Sequence, residues 1–153
     1  MTKHNVFVRV AFKLTNIENM NKRELERVQV SWEKVTPNAD KFAQLFYNKL
    51  FELDPQLQSL FKRSMRMQGR KIMSMFSSAV EYMGHTEKVL PPLIAAGKRH
   101  IQYGVADKDY ETVRQALMQT MSEALGEEFD SETRLAWELA YNSIQDIMKS
   151  ACH

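Results

Sequence analysis

"MQGRKIMSMFSSAVEYMG", residues 67–84, is the stretch that decides the fold. Gln68, Ile72, Met75, Phe76, Ala79 and Met83 recur at steps of three and four, the spacing that aligns side chains on one face of an α-helix, and Gly84 stops the run. The same period continues in both directions. Upstream, Leu25, Val28, Trp32 and Val35 form a stripe behind an Asn21 cap. Phe42, Leu45, Phe46, Leu50 and Phe51 form a second stripe, which stops near Asp54-Pro55 because a proline disfavours helical geometry in its predecessor. A short piece carries Leu57, Leu60 and Phe61. Downstream, Leu90, Leu93, Ile94 and His100 belong to a shorter helix that ends before Gly104. Tyr110, Val113, Leu117, Met121 and Ala124 follow behind Asp107 and end at Gly126, and Leu135, Trp137, Tyr141, Ile144 and Met148 make the last pattern. Strand-like alternation occurs once, at Val6, Val8 and Val10. About seven helices, with no βαβ alternation and no internal repeat, predict an all-α fold.

Composition supports that reading and removes several functions. A chain of 153 residues is long enough for one core and too short for two catalytic domains. Five glycines and four prolines are too few turn residues for a many-stranded sandwich. With 21 basic and 19 acidic side chains, the net charge of +2 offers no footprint for a nucleic acid. No run approaches the roughly 18 consecutive apolar residues of a membrane span. The single cysteine, Cys152, cannot close an internal disulfide, which fits a reducing, cytoplasmic setting. Ten methionines are many for this length; methionine fills irregular cores and is also common around bound apolar ligands.

Familiar catalytic templates are absent. The glycines at 69, 84, 97, 104 and 126 match neither a dinucleotide fingerprint nor a phosphate-binding loop. His4, His85, His100, Cys152 and His153 have no zinc-site spacing, and no serine sits in a Gly-x-Ser-x-Gly elbow. What remains is a set of polar residues on apolar helix faces. Gln68 lies four residues before Ile72 and eight before Phe76, on the inner stripe. Tyr47 follows Phe46 in a segment whose apolar arc is wide enough to bury both. His100, four positions after Ala96 and seven after Leu93, also faces inward. By spacing alone it is either a hydrogen-bonded core histidine or a ligand to something held inside.

From about Met20 onward the chain resembles a globin, and more closely the single-domain bacterial globins and the haem domain of flavohaemoglobins. The likeness rests on "VSWEKVTPN" (30–38), "LFYNKLFELDPQLQSLF" (45–61), "MQGRKIM" (67–73), "GKRHIQYGV" (97–105) and "AWELAYNSI" (136–144), in family order. The interval from Gln68 to His100 is also the family's distal-to-proximal spacing. The resemblance implies a globin fold, about seven helices around haem b, with His100 as the axial ligand to the iron. It implies Phe61 against the porphyrin face, with Pro55 at the turn before it, Ile72 over the iron, and Tyr47 and Gln68 as the distal pair. Lys71 and Arg99 stand where a cation can meet a haem propionate. Val105 adds to the apolar lining. Tyr110 matches the tyrosine that buttresses the proximal imidazole, although the glutamate that accompanies it in flavohaemoglobins has no counterpart between Tyr141 and the end. Ala96 stands where the family commonly has leucine.

The implied chemistry is that of one axial imidazole and an open opposite position. A phenol at Tyr47 and a carboxamide at Gln68 can each donate to bound oxygen, contributing on the order of 1–3 kcal/mol apiece where water is excluded. Tight, slowly released O2 suits reaction with NO, the dioxygenase chemistry of flavohaemoglobins, here with an external reductase because the chain ends at His153. O2 storage or transport, or O2 sensing, is the alternative. Residues 1–19, with "VFVRVAFKL" at 6–14, are expected to be a flexible extension before a globin domain at 20–153, or to precede a native start at Met20; a membrane-surface or partner-binding arm is the functional reading.

Overall fold

The computed structural model describes residues 20–61 and 64–150, and within them the chain forms six α-helices and no strand. The helices are α1 (Lys22–Val35), α2 (Ala39–Leu53), α3 (Met65–Glu81), α4 (Thr86–Gln102), α5 (Asp107–Leu125) and α6 (Ser131–Ser150). Single 3₁₀ turns at Thr36–Asn38, Pro55–Leu60 and Gly126–Glu128 join some of them. The extension at 1–19, its valine alternation, Cys152 and His153 lie outside the described residues.

Local chemistry sets the helix ends where the stripes predict them. Asn21 Oδ1 accepts the Glu24 N–H at 2.8 Å while Glu24 Oε1 accepts the Asn21 N–H at 3.0 Å, a reciprocal cap that satisfies two donors the first turn leaves free. Asp54 closes α2 and opens the next turn, accepting the Gln56 N–H at 3.1 Å. Helix α4 is longer than its apolar pattern suggests and carries Pro91 and Pro92 inside it, past the first turn, where each lacks the N–H that would bond one turn back.

Two stripes shift from their expected registers. Leu135 is 58% exposed, because two residues separate it from Trp137 and a helix turns 200° over that interval; Ala136, Trp137, Ala140, Ser143 and Ile147 form the buried face instead. Ala124 is likewise exposed, and α5 buries Ala116, Leu117, Met118, Thr120 and Met121.

Helix α2 packs against α3 and α5, and α6 against α1 and α4. Indole N–H groups tie these layers: Trp137 Nε1 donates to Ser31 Oγ at 2.7 Å and Trp32 Nε1 to Ser77 Oγ at 3.0 Å. The Trp32 ring meets Phe42 and Phe76 edge-on at 5.5 and 5.9 Å, and Phe46 meets Phe76 at 5.9 Å, so an aromatic column runs from α1 toward the space between α3 and α5. Helices α4 and α6 approach closely at Gly97 of α4, where a Cβ would collide with the Met148 carbonyl oxygen of α6.

Candidate functional site

The position of His100 follows from how α4 ends. The Val105 N–H donates to the His100 carbonyl at 2.9 Å and the Gly104 N–H to the Ile101 carbonyl at 3.0 Å, with Gly104 at φ +79°. This is the Schellman arrangement, which needs a residue free of Cβ strain at Gly104 and brings the residue after the glycine back against the last turn. "HIQYGV" therefore places the imidazole of His100 and the isopropyl of Val105 side by side, and both line the same cleft.

That cleft is lined almost wholly by apolar side chains and is partly open to solvent, the character of a site for an apolar cofactor. Phe46, Leu50, Phe61, Ile72 and Phe76 form one side, Leu93, His100 and Val105 another, and Tyr110, Val113, Leu117, Tyr141, Ile144 and Met148 the back. Among the described residues His100 is the single imidazole in its wall.

The imidazole is held from behind. Its Nδ1 lies 3.3 Å from the Tyr110 hydroxyl, and Tyr141 donates its hydroxyl to the Tyr110 carbonyl at 2.6 Å, which fixes the helix turn carrying Tyr110. Lys149 caps the Tyr110 ring at 5.1 Å from its centroid. In the tautomer that carries its proton on Nδ1, the imidazole donates to the phenol oxygen and Nε2 keeps a free lone pair. Burial, followed by the charge of Arg99, holds the His100 pKa below the ordinary imidazole value, so the neutral, metal-binding form prevails.

The other predicted residues fall into three places. Phe61, Ile72 and Val105 are in the wall with His100 and Tyr110. Tyr47 is buried directly behind that wall: its ring meets Phe61 edge-on at 5.2 Å and stacks on Phe51 at 5.8 Å, and its hydroxyl donates to the backbone carbonyl of Gln68 at 3.2 Å. Neither Tyr47 nor the half-buried Gln68 is part of the wall itself. Lys71 and Arg99 are exposed, each next in sequence to a wall residue, and neither forms an ion pair with another described residue. Ala96 is buried on the same helix face as Leu93.

A model of the globin family matches residues 44–148, which includes every wall residue named above. The chain belongs to the globin family. It is 31% identical over 137 residues to a leghaemoglobin of Canavalia lineata, covering 81% of this chain and 90% of that one. A leghaemoglobin of Medicago sativa shares 26% over 135 residues (81% and 92%), and an anaerobic nitrite reductase HBII of Casuarina glauca 30% over 135 (78% and 84%). These relatives are plant proteins; they establish the globin family and not the bacterial or flavohaemoglobin branch that the motifs suggested. The fold is the globin fold and the cofactor is haem. The residues present fit it: an apolar cleft, an imidazole in its wall whose Nδ1 is held by a phenol, and exposed cations next to wall residues for the porphyrin's acidic groups.

Tyr141, Asp109 and Gln145 are among the wall residues that the sequence does not single out for the site. Tyr141 was read only as part of an apolar stripe. Asp109 stands four before Val113 and eight before Leu117, the same inner-stripe sign that singled out Gln68. Gln145 follows Ile144 and lies one turn after Tyr141.

Proposed function

We propose that this globin binds O2 at the cleft face opposite His100 and, supplied with electrons by a separate reductase, uses it to convert nitric oxide to nitrate in the cytoplasm. The observation that carries the reading is the pair His100 and Tyr110: one half-buried imidazole, its Nδ1 held by a phenol, in the wall of a largely apolar cleft. Haem supplies the iron at which diatomic ligands bind and NO is oxidised. The chain supplies the rest. His100 anchors from one side, and the Tyr110 hydroxyl sets the imidazole's plane and raises its donor strength. Phe61, Ile72 and Val105 exclude water and hold the porphyrin by apolar contact. Lys71 and Arg99 meet its acidic edge.

Tyr47 and Gln68 are the proposed distal donors, and their arrangement suggests how they are engaged. The Tyr47 hydroxyl already satisfies the Gln68 carbonyl, so donation to a ligand exchanges one hydrogen bond for another and yields only the difference between them. That exchange, together with the likeness to leghaemoglobins, favours a second reading: O2 storage or delivery with faster release. The relative named as a nitrite reductase adds nitrite as a further substrate to examine.

Stopped-flow mixing of the oxygenated protein with NO decides between these readings. Immediate oxidation with stoichiometric nitrate supports the dioxygenase; slow reaction with fast O2 dissociation supports storage. Tyr47→Phe is expected to speed O2 dissociation by roughly tenfold if the phenol donates, since about 1.4 kcal/mol is tenfold. An unchanged rate would confine Tyr47 to supporting Phe61.

A further inference from the structure

One wall residue is costly and unexplained by ligand binding. Asp109 is only 6% exposed. Its Oδ2 accepts the Ala106 N–H at 2.7 Å, which caps α5, but Oδ1 is buried with no hydrogen-bond partner. No lysine, arginine or histidine among the described residues forms an ion pair with it; Lys108 reaches Asp54 and Lys149 reaches Asp107 instead. Among the described residues it is the one carboxylate in the cleft wall, and it directly precedes Tyr110 in the chain. One oxygen of this carboxylate is thus used in the cap and the other is a buried acceptor left unsatisfied, which costs free energy that the cap alone does not require.

Haem does not satisfy Oδ1 by hydrogen bonding, because the porphyrin nitrogens hold the iron and its peripheral acids are acceptors. What it offers is charge. The iron with its dianionic ring core is formally +1 when ferric and neutral when ferrous. We infer that Asp109 is an electrostatic positioning residue for the iron's oxidation state: a fixed carboxylate in the haem cleft that stabilises the ferric form and lowers the one-electron potential. The step concerned transfers one electron from a reduced redox mediator to ferric iron, giving ferrous iron and the oxidised mediator, with no bond made or broken at Asp109. A charge facing the haem across a low-dielectric wall acts far more strongly than one in water. The inference rests on the haem seat at His100 and is independent of whether O2 is stored or used on NO.

The test is a mediated spectroelectrochemical titration of the haem-loaded protein under argon, with O2 and NO absent. Asp109→Asn keeps a carbonyl for the Ala106 N–H and removes the charge. It is expected to shift the ferrous-to-ferric ratio at fixed potential about tenfold toward ferrous, a rise of ~59 mV for one electron, with the haem absorption bands and haem retention unchanged. Gln145→Glu, which adds a carboxylate at the wall's other buried unpartnered oxygen, is expected to lower the potential. An Asp109→Asn protein that holds haem normally at an unaltered potential overturns the inference. If Asp109→Asn does not retain haem, Asp109→Ser is measured in its place. Failure of both to fold or bind also counts against it, because a charge kept for redox poise is dispensable for folding. Should His100→Ala leave the spectrum untouched, the haem seat itself is misassigned, a result separable from any change at Asp109.

Discussion

The contact between His100 Nδ1 and the Tyr110 hydroxyl joins the proposed ligand residue on one helix to its proposed support on the next, and it makes a specific demand on each side chain. Tyr110→Phe keeps the ring and its cation contact with Lys149 but loses the hydroxyl. It is expected to release haem to an apoglobin acceptor roughly 10–100 times faster, the usual effect of losing a partner to a metal-bound histidine. Tyr47 sets a pH expectation. Burial pushes its pKa up to about 12 from 10.0, so its neutral form is favoured by folding. The folded value is raised, so this contribution is complete below pH 10 and is lost as the pH climbs toward 12. Ultraviolet titration at 295 nm is expected to show Tyr47 among the last phenols to ionise, absent from the titration after Tyr47→Phe, and the ferric spectrum is expected to show no tyrosinate transition below about pH 11. Tyr141 is shifted the same way, first by burial and then by the charges around it. At this scale the sequence was legible where chemistry is local. Inward spacing placed His100, and the family motif placed Tyr110. Asp109 was missed because a carboxylate near a helix start looks like an ordinary first-turn acid until the burial of its second oxygen is known.

Helix ends and crossings carry the next level. Gly104 ends α4 at φ +79°, and that one conformation aligns Val105 with His100. Gly104→Ala is expected to cost about 1–2 kcal/mol through Cβ strain in the left-handed region, readable as a lower urea midpoint at unchanged slope. Gly97 poses a different constraint. Its φ is ordinary, but a Cβ there collides with the Met148 carbonyl, and backbone cannot step aside as a side chain can. Gly97→Ala is therefore expected to force α4 and α6 apart, destabilise the fold by roughly 1–3 kcal/mol, and broaden the haem absorption band as the imidazole is displaced. The role of Gly104 is written in the sequence, because glycine after an amphipathic run is a stop signal. The role of Gly97 is not, because a mid-helix glycine reveals nothing about which neighbouring backbone approaches it.

For the molecule as a whole, the cleft is a core with a missing piece. Phe61, Ile72, Val105 and Val113 are only partly buried, and they line the space that the porphyrin is expected to occupy. Haem binding should therefore act as folding free energy. At a haem excess of about 100 times Kd, linkage contributes ~2.7 kcal/mol, and for a chain of 153 residues that corresponds to a rise in Tm of roughly 5–10 °C between apoprotein and holoprotein. Differential scanning calorimetry with and without hemin checks it; coincident transitions would argue against the cleft as the haem seat. None of the helices among the described residues is long and apolar enough to cross a membrane.

The amino-acid sequence by itself determined the helical architecture, the helix stops at Gly104 and Gly126, and the inward orientation of His100, because periodicity, capping and glycine geometry act over a few residues and need no distant partner. Tertiary structure alone decided the register of α6, the placement of Tyr47 behind Phe61 with its hydroxyl on the Gln68 carbonyl, and the unpaired Asp109 oxygen in the cleft wall. Each of these depends on which side chain of another helix fills the adjacent space. That is settled by packing between segments far apart in the chain, and a one-dimensional pattern carries no record of it.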